Sequence, residues 1–117
     1  MSVNLGAFGF NESVDVTGAK SLVVADQGIV QNVTAAAVVS LPAAAAGQSF
    51  TLRVGATGIT TSLIPVGTDS MTGNGFTPAA VKGAVFTNQP VGSLVTVSSG
   101  AATWHISKLS GTATRTV

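Results

Sequence analysis

Residues 93–106 read S-L-V-T-V-S-S-G-A-A-T-W-H-I, two β-rich segments separated by a turn that contains glycine. This pattern predicts a β-hairpin. Side chains alternate along a strand, so Trp104 and Ile106 should share one face while His105 and Ser107 take the other. Trp104 is the sole tryptophan of the chain and shares its face with Ile106. We therefore interpret it as a core residue and not as an exposed platform for sugar rings.

The same alternation continues through most of the chain. Phe50, Leu52 and Val54 alternate with Thr51 and Arg53, as expected for a strand with one buried face. Further β-rich segments end at Gly, Pro, Asn, Asp or Ser, and we predict strands at 21–25, 28–33, 34–41, 58–64, 81–87, 93–98 and 103–109. The sequence thus predicts an all-β fold, a single-domain antiparallel β-sandwich or barrel-like fold of short strands.

The chain of 117 residues has room for one domain, which we place at residues 14–110. Residues 111–117 form a short polar tail that we expect to fray. Residues 1–13 are apolar and rich in glycine, and we predict that this arm binds a partner through Val3, Leu5, Phe8 and Phe10, which Gly6 and Gly9 separate. The alternative is an ordinary edge strand that closes the domain's own core.

Charged side chains make up 8% of the chain, whereas soluble domains average about 25%. A surface with so few charges is typical of a protein that meets partners. The net charge is +1, and the basic residues are scattered singly, at Lys20, Arg53, Lys82, Lys108 and Arg115. Nucleic-acid binding needs clustered Lys and Arg to neutralise several phosphates, so we expect no nucleic-acid partner.

The uncharged stretch 27–52 contains Pro and several polar residues, whereas a membrane-spanning helix needs roughly 20 mainly apolar residues in succession. We therefore expect no membrane partner. No Lys or Arg precedes the apolar N-terminal positions, so we also expect no secretory signal. Cysteine is absent, which excludes disulfides, thiolate metal ligands and a cysteine nucleophile.

The residues that carry most enzyme chemistry are few and dispersed. Asp26 and Asp69 lie in predicted turns, away from Glu12 and Asp15, so a facing pair of carboxylates is not expected. His105 is the sole histidine, which leaves a zinc site only where copies meet on a symmetry axis. No G-x-S-x-G nucleophile motif or phosphate-binding loop occurs. We expect no enzyme activity, no cofactor and no metal.

Five stretches, in this order and at this spacing, resemble a module of tailed-phage virion proteins, namely small head decoration or cement proteins and the head domains of some fibres. They are A-D-Q-G (25–28), V-V-S-L-P-A-A-A-A-G (38–47), I-P-V-G-T-D-S-M-T-G (64–73), K-G-A-V (82–85) and S-S-G-A-A-T-W (98–104). The chain departs from the module at Met71, where Ile is more usual, and at Ser99, where Asp often precedes the glycine.

The resemblance implies a structural virion protein on the outer capsid surface, assembled in the host cytoplasm. Its partners would be itself, as a trimer or dimer, and the major capsid protein, whose subunits it would bridge. The low charge predicts mainly apolar and backbone contacts with that shell. Two alternatives remain open: a phage fibre module that binds host-surface glycan, and a bacterial adhesin or pilus-like subunit, which the missing signal segment disfavours.

Overall fold

The structure, a computed structural model, describes residues 13–45, 47–73, 83–110 and 114–115. Its strands in chain order are Ser13–Val16 (β1), Lys20–Ser21 (β2), Val30–Val33 (β3), Ala37–Ser40 (β4), Ser49–Val54 (β5), Thr60–Ile64 (β6), Ser70–Thr72 (β7), Ala84–Thr87 (β8), Leu94–Ser99 (β9), Thr103–Leu109 (β10) and Thr114–Arg115 (β11). The one helical segment in this part of the chain is a 3₁₀ helix at Val24–Asp26. The predicted all-β, single-domain fold is confirmed. Among the described residues no helix is long and apolar enough to cross a membrane.

The strands form two sheets. The first sheet has the order β1-β3-β5-β9-β10-β7, and the second has the order β11-β8-β6-β4-β2. From β1 to β6 the strands therefore alternate between the two sheets, with β1, β3 and β5 in the first and β2, β4 and β6 in the second. Strands of one sheet in this part of the chain are separated in sequence by a strand of the other sheet, which serves as their crossover connection.

This alternation corrects the predicted antiparallel arrangement, because both sheets are mixed. The pairs β1/β3, β3/β5, β2/β4 and β4/β6 are parallel, and so is β7/β10. The pairs β5/β9, β9/β10, β6/β8 and β8/β11 are antiparallel. Parallel neighbours need a long connection, and here a pass through the opposite sheet provides it.

The core lies between the sheets and follows the alternation seen in the sequence. In β5, Phe50, Leu52 and Val54 are buried while Thr51 and Arg53 point outward. Trp104 is 0% exposed, and its ring lies 5.6 Å from that of Phe50 at an interplanar angle of 55°. Tilted aromatic pairs at this separation are favourable. The interpretation of Trp104 as a core residue is confirmed.

Several predicted strands are shorter than expected, and those predicted at 21–25 and 34–41 differ most from the observed bounds. The strand predicted at 21–25 ends at Ser21, because the Asp26 carboxylate accepts a hydrogen bond from the Val23 N–H at 2.9 Å and the chain turns into the 3₁₀ helix. The strand predicted at 34–41 covers only Ala37–Ser40, because the preceding residues cross between sheets. Thr34 still belongs to the first sheet, where its N–H donates to the Val16 carbonyl at 3.0 Å.

The domain also includes residues near both ends. Ser13 begins β1, an edge strand of the first sheet that the sequence pattern did not predict. Thr114–Arg115 pair with β8 at the edge of the second sheet, so the expectation that the whole tail frays is wrong for these two residues. Strand β7, which pairs with β10, was also not predicted.

Candidate functional site

Each carboxylate of the described residues has a structural partner. Asp15 lies on the outer face of the first sheet and accepts a hydrogen bond from Asn32 Nδ2 at 3.0 Å. Asp26 closes the 3₁₀ helix and lies 3.9 Å from Lys20 Nζ. Asp69 follows a turn and is nearly buried. Each of these carboxylates thus takes part in a contact that supports the fold.

His105 lies on the exposed face of β10, as its alternation with Trp104 predicted. Its Nδ1 is 2.7 Å from the Thr72 hydroxyl on the neighbouring strand β7. Within the described residues no three His, Asp or Glu side chains come close enough together to hold a metal ion. The His105 to Thr72 contact therefore serves to link two strands on a polar face.

The feature that stands out is one end of the second sheet, where three loops lie side by side. In the parallel strands β2, β4 and β6, Ser21 is level with Ser40 and Ser40 is level with Ile64. Hydrogen bonds of 2.8 Å, from Leu22 N to Ser40 O and from Leu41 N to Ile64 O, extend this alignment by one residue. All three strands therefore end at the same end of the sheet. We call the surface formed by residues 22–27, 41–45 and 65–69 the loop end.

The loop end exposes aliphatic side chains. Val23 and Val24 are 54% and 55% exposed, and Val66 is 37% exposed. Val23, Pro42 and Val66 each lie two residues beyond the aligned positions of their strands, and adjacent strands are about 4.8 Å apart. The ionised groups nearby, Lys20 and Asp26, pair with each other. Asp69, the other carboxylate of the loop end, is only 9% exposed. The exposed part of the surface is thus mainly aliphatic.

Side chains hold these loops in place. Asp69 Oδ2 accepts a hydrogen bond from Ala44 N at 2.7 Å and joins the second loop to the third. Gln27 Oε1 accepts from Ser49 N at 2.9 Å and joins the first loop to the start of β5. The Ser99 hydroxyl donates to the Ala45 carbonyl. The loop end is therefore a built surface, and its contacts bind it to both sheets.

We expect Asp69→Ala to lower the free energy of unfolding by about 1–3 kcal/mol, because it leaves the Ala44 N–H without its acceptor. Asp69→Asn is the matched control, since its amide oxygen accepts the same hydrogen bond, and it should retain most of the stability. Thermal unfolding followed by circular dichroism measures both. Equal losses in the two variants would contradict this role for the Asp69 oxygen.

The outer faces of the two sheets differ in chemistry. The first sheet carries a polar chain across β1, β3 and β5, in which Arg53 Nε donates to Asn32 Oδ1 at 2.9 Å and Asn32 donates to Asp15. Hydroxyls continue it, with Thr51 and Thr96 in contact at 3.0 Å. Lys108 and His105 lie further along the same face. This face has the polar groups that water solvates well.

The outer face of the second sheet carries no charge on its described side chains. The residues that alternate with its buried positions are Ser21, Val38, Ser40, Thr60, Ser62, Ile64, Val85 and Thr87. Val38 is 47% exposed. A shallow open groove of about 410 Å³ lies beside it, lined by Ala19, Ala36, Ala37, Val38, Thr60 and Ser62. This face and the loop end are the candidate interaction surfaces.

The predicted partner-binding residues Val3, Leu5, Phe8 and Phe10 lie outside the described residues, so the arm stays a prediction. Sequence reasoning missed both surfaces found here. The signal for the second sheet was present, because Val38, Ser40, Thr60 and Ser62 occupy the outward positions of two strands and none is charged. The signal for the loop end was absent, because it depends on which strands are neighbours.

Comparison with protein-family models and with curated proteins gave no match for this chain.

Proposed function

We propose that this chain is a structural protein that decorates and stabilises a phage capsid by binding across major capsid protein subunits on the outer surface of the virion. Two observations support this function over a catalytic one. The order of five sequence stretches between residues 25 and 104 resembles phage virion modules. The titratable side chains of the described residues have structural partners or stand alone on a polar face.

The loop end carries the proposal. Two of its three loops lie within resembling stretches and the first overlaps a third stretch at 25–27, and the three loops meet in space although they are far apart in sequence. Exposed Val23, Val24 and Val66 give it an apolar surface, and a surface of this kind is solvated poorly until a partner covers it. We assign this surface to the contact with the capsid shell.

Stabilisation would follow from mass action. A protein that binds the assembled shell and not its dissociated subunits lowers the free energy of the shell, by an amount that grows with occupancy. A capsid repeats its sites many times, so each contact contributes little alone and the sum is large. A small apolar surface suits this regime.

Imaging of purified virions with and without the protein tests the function. Copies spaced regularly over the head are expected, and heads that lack the protein should open at a lower temperature. Copies confined to one vertex or to the tail tip would refute decoration. The fibre alternative has less support, because the aromatic side chains within the described residues, Phe50, Phe86 and Trp104, are buried and offer no platform for sugar rings.

We expect Val66→Asp to weaken binding to heads at least about tenfold, because it places an unpaired carboxylate in an apolar contact. Val91→Asp is the matched control. Val91 is 56% exposed, and the neighbouring Gly92 N–H donates to the carbonyl of Val54, at the opposite end of β5 from Ser49. Cosedimentation of labelled protein with heads that lack it measures both variants. Equal affinities would remove the loop end from the contact with the shell.

A further inference from the structure

The outer face of the second sheet has a symmetrical layout around its middle strand. β6 is the third of five strands, and Ser62 is its middle residue. Val38 of β4 is level with Ser62 on one side, and Val85 of β8 is level with it on the other. We propose that this face pairs with the same face of a second copy of the chain, about a two-fold axis that passes near Ser62.

Electrostatics favour this face for self-pairing. In a two-fold interface the same patch is used by both copies, so any charge near the axis meets its own equivalent. The described outward side chains of the second sheet are all uncharged, and such a pairing brings no like charges together. The first sheet presents Arg53, Lys108 and Asp15, whose desolvation and repulsion would oppose the same contact.

The layout of the face also suits a reciprocal contact. The exposed Val38 side chain stands beside a groove whose other lining residues are small, among them Ala19, Ala36 and Ser62. With the two-fold axis parallel to β6 and near Ser62, Val38 of each copy would face Val85 of the other, because these two residues lie on opposite sides of Ser62. The two Val38–Val85 contacts would then remove four valine side chains from water.

The size of the face sets the strength of the pairing. Five strands at about 4.8 Å and roughly four residues at about 3.3 Å give roughly 300 Å² of sheet per copy. A stable interface needs about 800 Å² per partner. The dimer should therefore be weak, and it should form as the protein concentration rises from micromolar to millimolar.

This pairing deepens the proposed function in one respect, which rests on that function. A two-fold axis parallel to the strands would place both loop ends on the same side of the dimer. The pair would then contact the shell at two sites, and the second contact would form at high effective concentration.

Sedimentation equilibrium of the purified full chain tests the pairing. The wild type should shift from monomer to dimer with concentration, and Val38→Asp should weaken the association at least about tenfold, because it places an unpaired carboxylate against Val85 at two places in an apolar contact. Val91→Asp adds the same charge away from this face and should associate like the wild type. A wild type that stays monomeric throughout, or two variants that associate equally well, would overturn the proposal.

A second measurement does not depend on how well Val38→Asp folds. The chain has no cysteine, so Ser62→Cys introduces a single thiol near the proposed axis with a change of one atom. Oxidation should convert most of this variant into a covalent dimer. Ser98→Cys, on the outer face of the first sheet, is the control and should remain mostly monomeric. Equal dimer yields would contradict pairing through the second sheet.

The two proposals fail separately. A chain that stays monomeric yet binds heads overturns the pairing and leaves decoration intact. A chain that dimerises through Ser62→Cys yet leaves heads unoccupied overturns decoration and leaves the pairing intact.

Discussion

Trp104→Ala is expected to lower the free energy of unfolding by about 3–5 kcal/mol, the usual cost of truncating a large buried aromatic residue to alanine. Trp104 is fully buried, its ring packs against Phe50, and its strand joins β9 to β7. Domains of this size are stable by only about 5–15 kcal/mol in total. The variant should therefore be close to unfolding at ordinary temperature.

Trp104→Phe is the matched control for this prediction. It keeps an aromatic ring against Phe50, and it removes an indole N–H that is buried with no hydrogen-bond acceptor among the described residues. We expect it to lose about 1 kcal/mol, since the smaller cavity is offset by removal of an unsatisfied donor. Urea unfolding should be followed by far-ultraviolet circular dichroism, because both variants lack the sole tryptophan. A loss below about 1 kcal/mol in Trp104→Ala would contradict its role as the core anchor.

The parts of the fold that the sequence predicted are those set by local pattern. Alternation in β5 identified the buried face of Phe50, Leu52 and Val54, and the glycine-containing turn predicted at 98–102 identified the β9/β10 hairpin. Both signals are contained within a few residues. Burial of one side chain in two is enough to specify a strand and its faces, whatever sheet that strand joins.

The pairing of strands was not predictable in the same way. The connection between β3 and β4 covers three residues, a length that also suits a hairpin, yet it carries the chain from one sheet to the other. A short loop therefore looks the same whether the next strand is an antiparallel neighbour or lies across the core. Parallel order within each sheet depends on contacts between strands distant in sequence, and no local pattern encodes those contacts.

Local sequence was also insufficient to predict which single residues are exposed on the candidate surfaces. Two valine pairs look alike in the sequence, but Val23 and Val24 are both exposed while Val39 is buried and Val38 is not. Val38 and Val39 lie in strand β4, where neighbouring side chains point to opposite faces. Val23 and Val24 lie beyond the end of β2, where the 3₁₀ helix begins. Val23 and Val24 are exposed because they follow the end of β2. The position of that end within the sheet is known only once β2 is placed beside β4.

Gly83 lies where the chain that enters β8 packs closely against the neighbouring strand β6. A Cβ built on this residue would overlap the Leu63 carbonyl oxygen, and it would lie 2.8 Å from the Leu63 carbonyl carbon and 2.9 Å from the Ile64 Cα. All three atoms belong to the backbone of β6, the middle strand of the sheet. A side chain here cannot be accommodated by a change of rotamer, so the strands themselves would have to separate.

We expect Gly83→Ala to lower the free energy of unfolding by about 3 kcal/mol or more, at the upper end of the cost of overpacking a core. Gly18→Ala is the matched control, because its Cβ would have no neighbour within 4 Å and its φ lies outside the left-handed region. That variant should be unchanged or more stable by up to about 1 kcal/mol, since alanine restricts the unfolded chain. Urea unfolding of both variants measures the difference. If Gly83→Ala unfolds at the same urea concentration as Gly18→Ala, β6 and the chain entering β8 do not pack this closely, and the glycine of the K-G-A-V stretch needs another explanation.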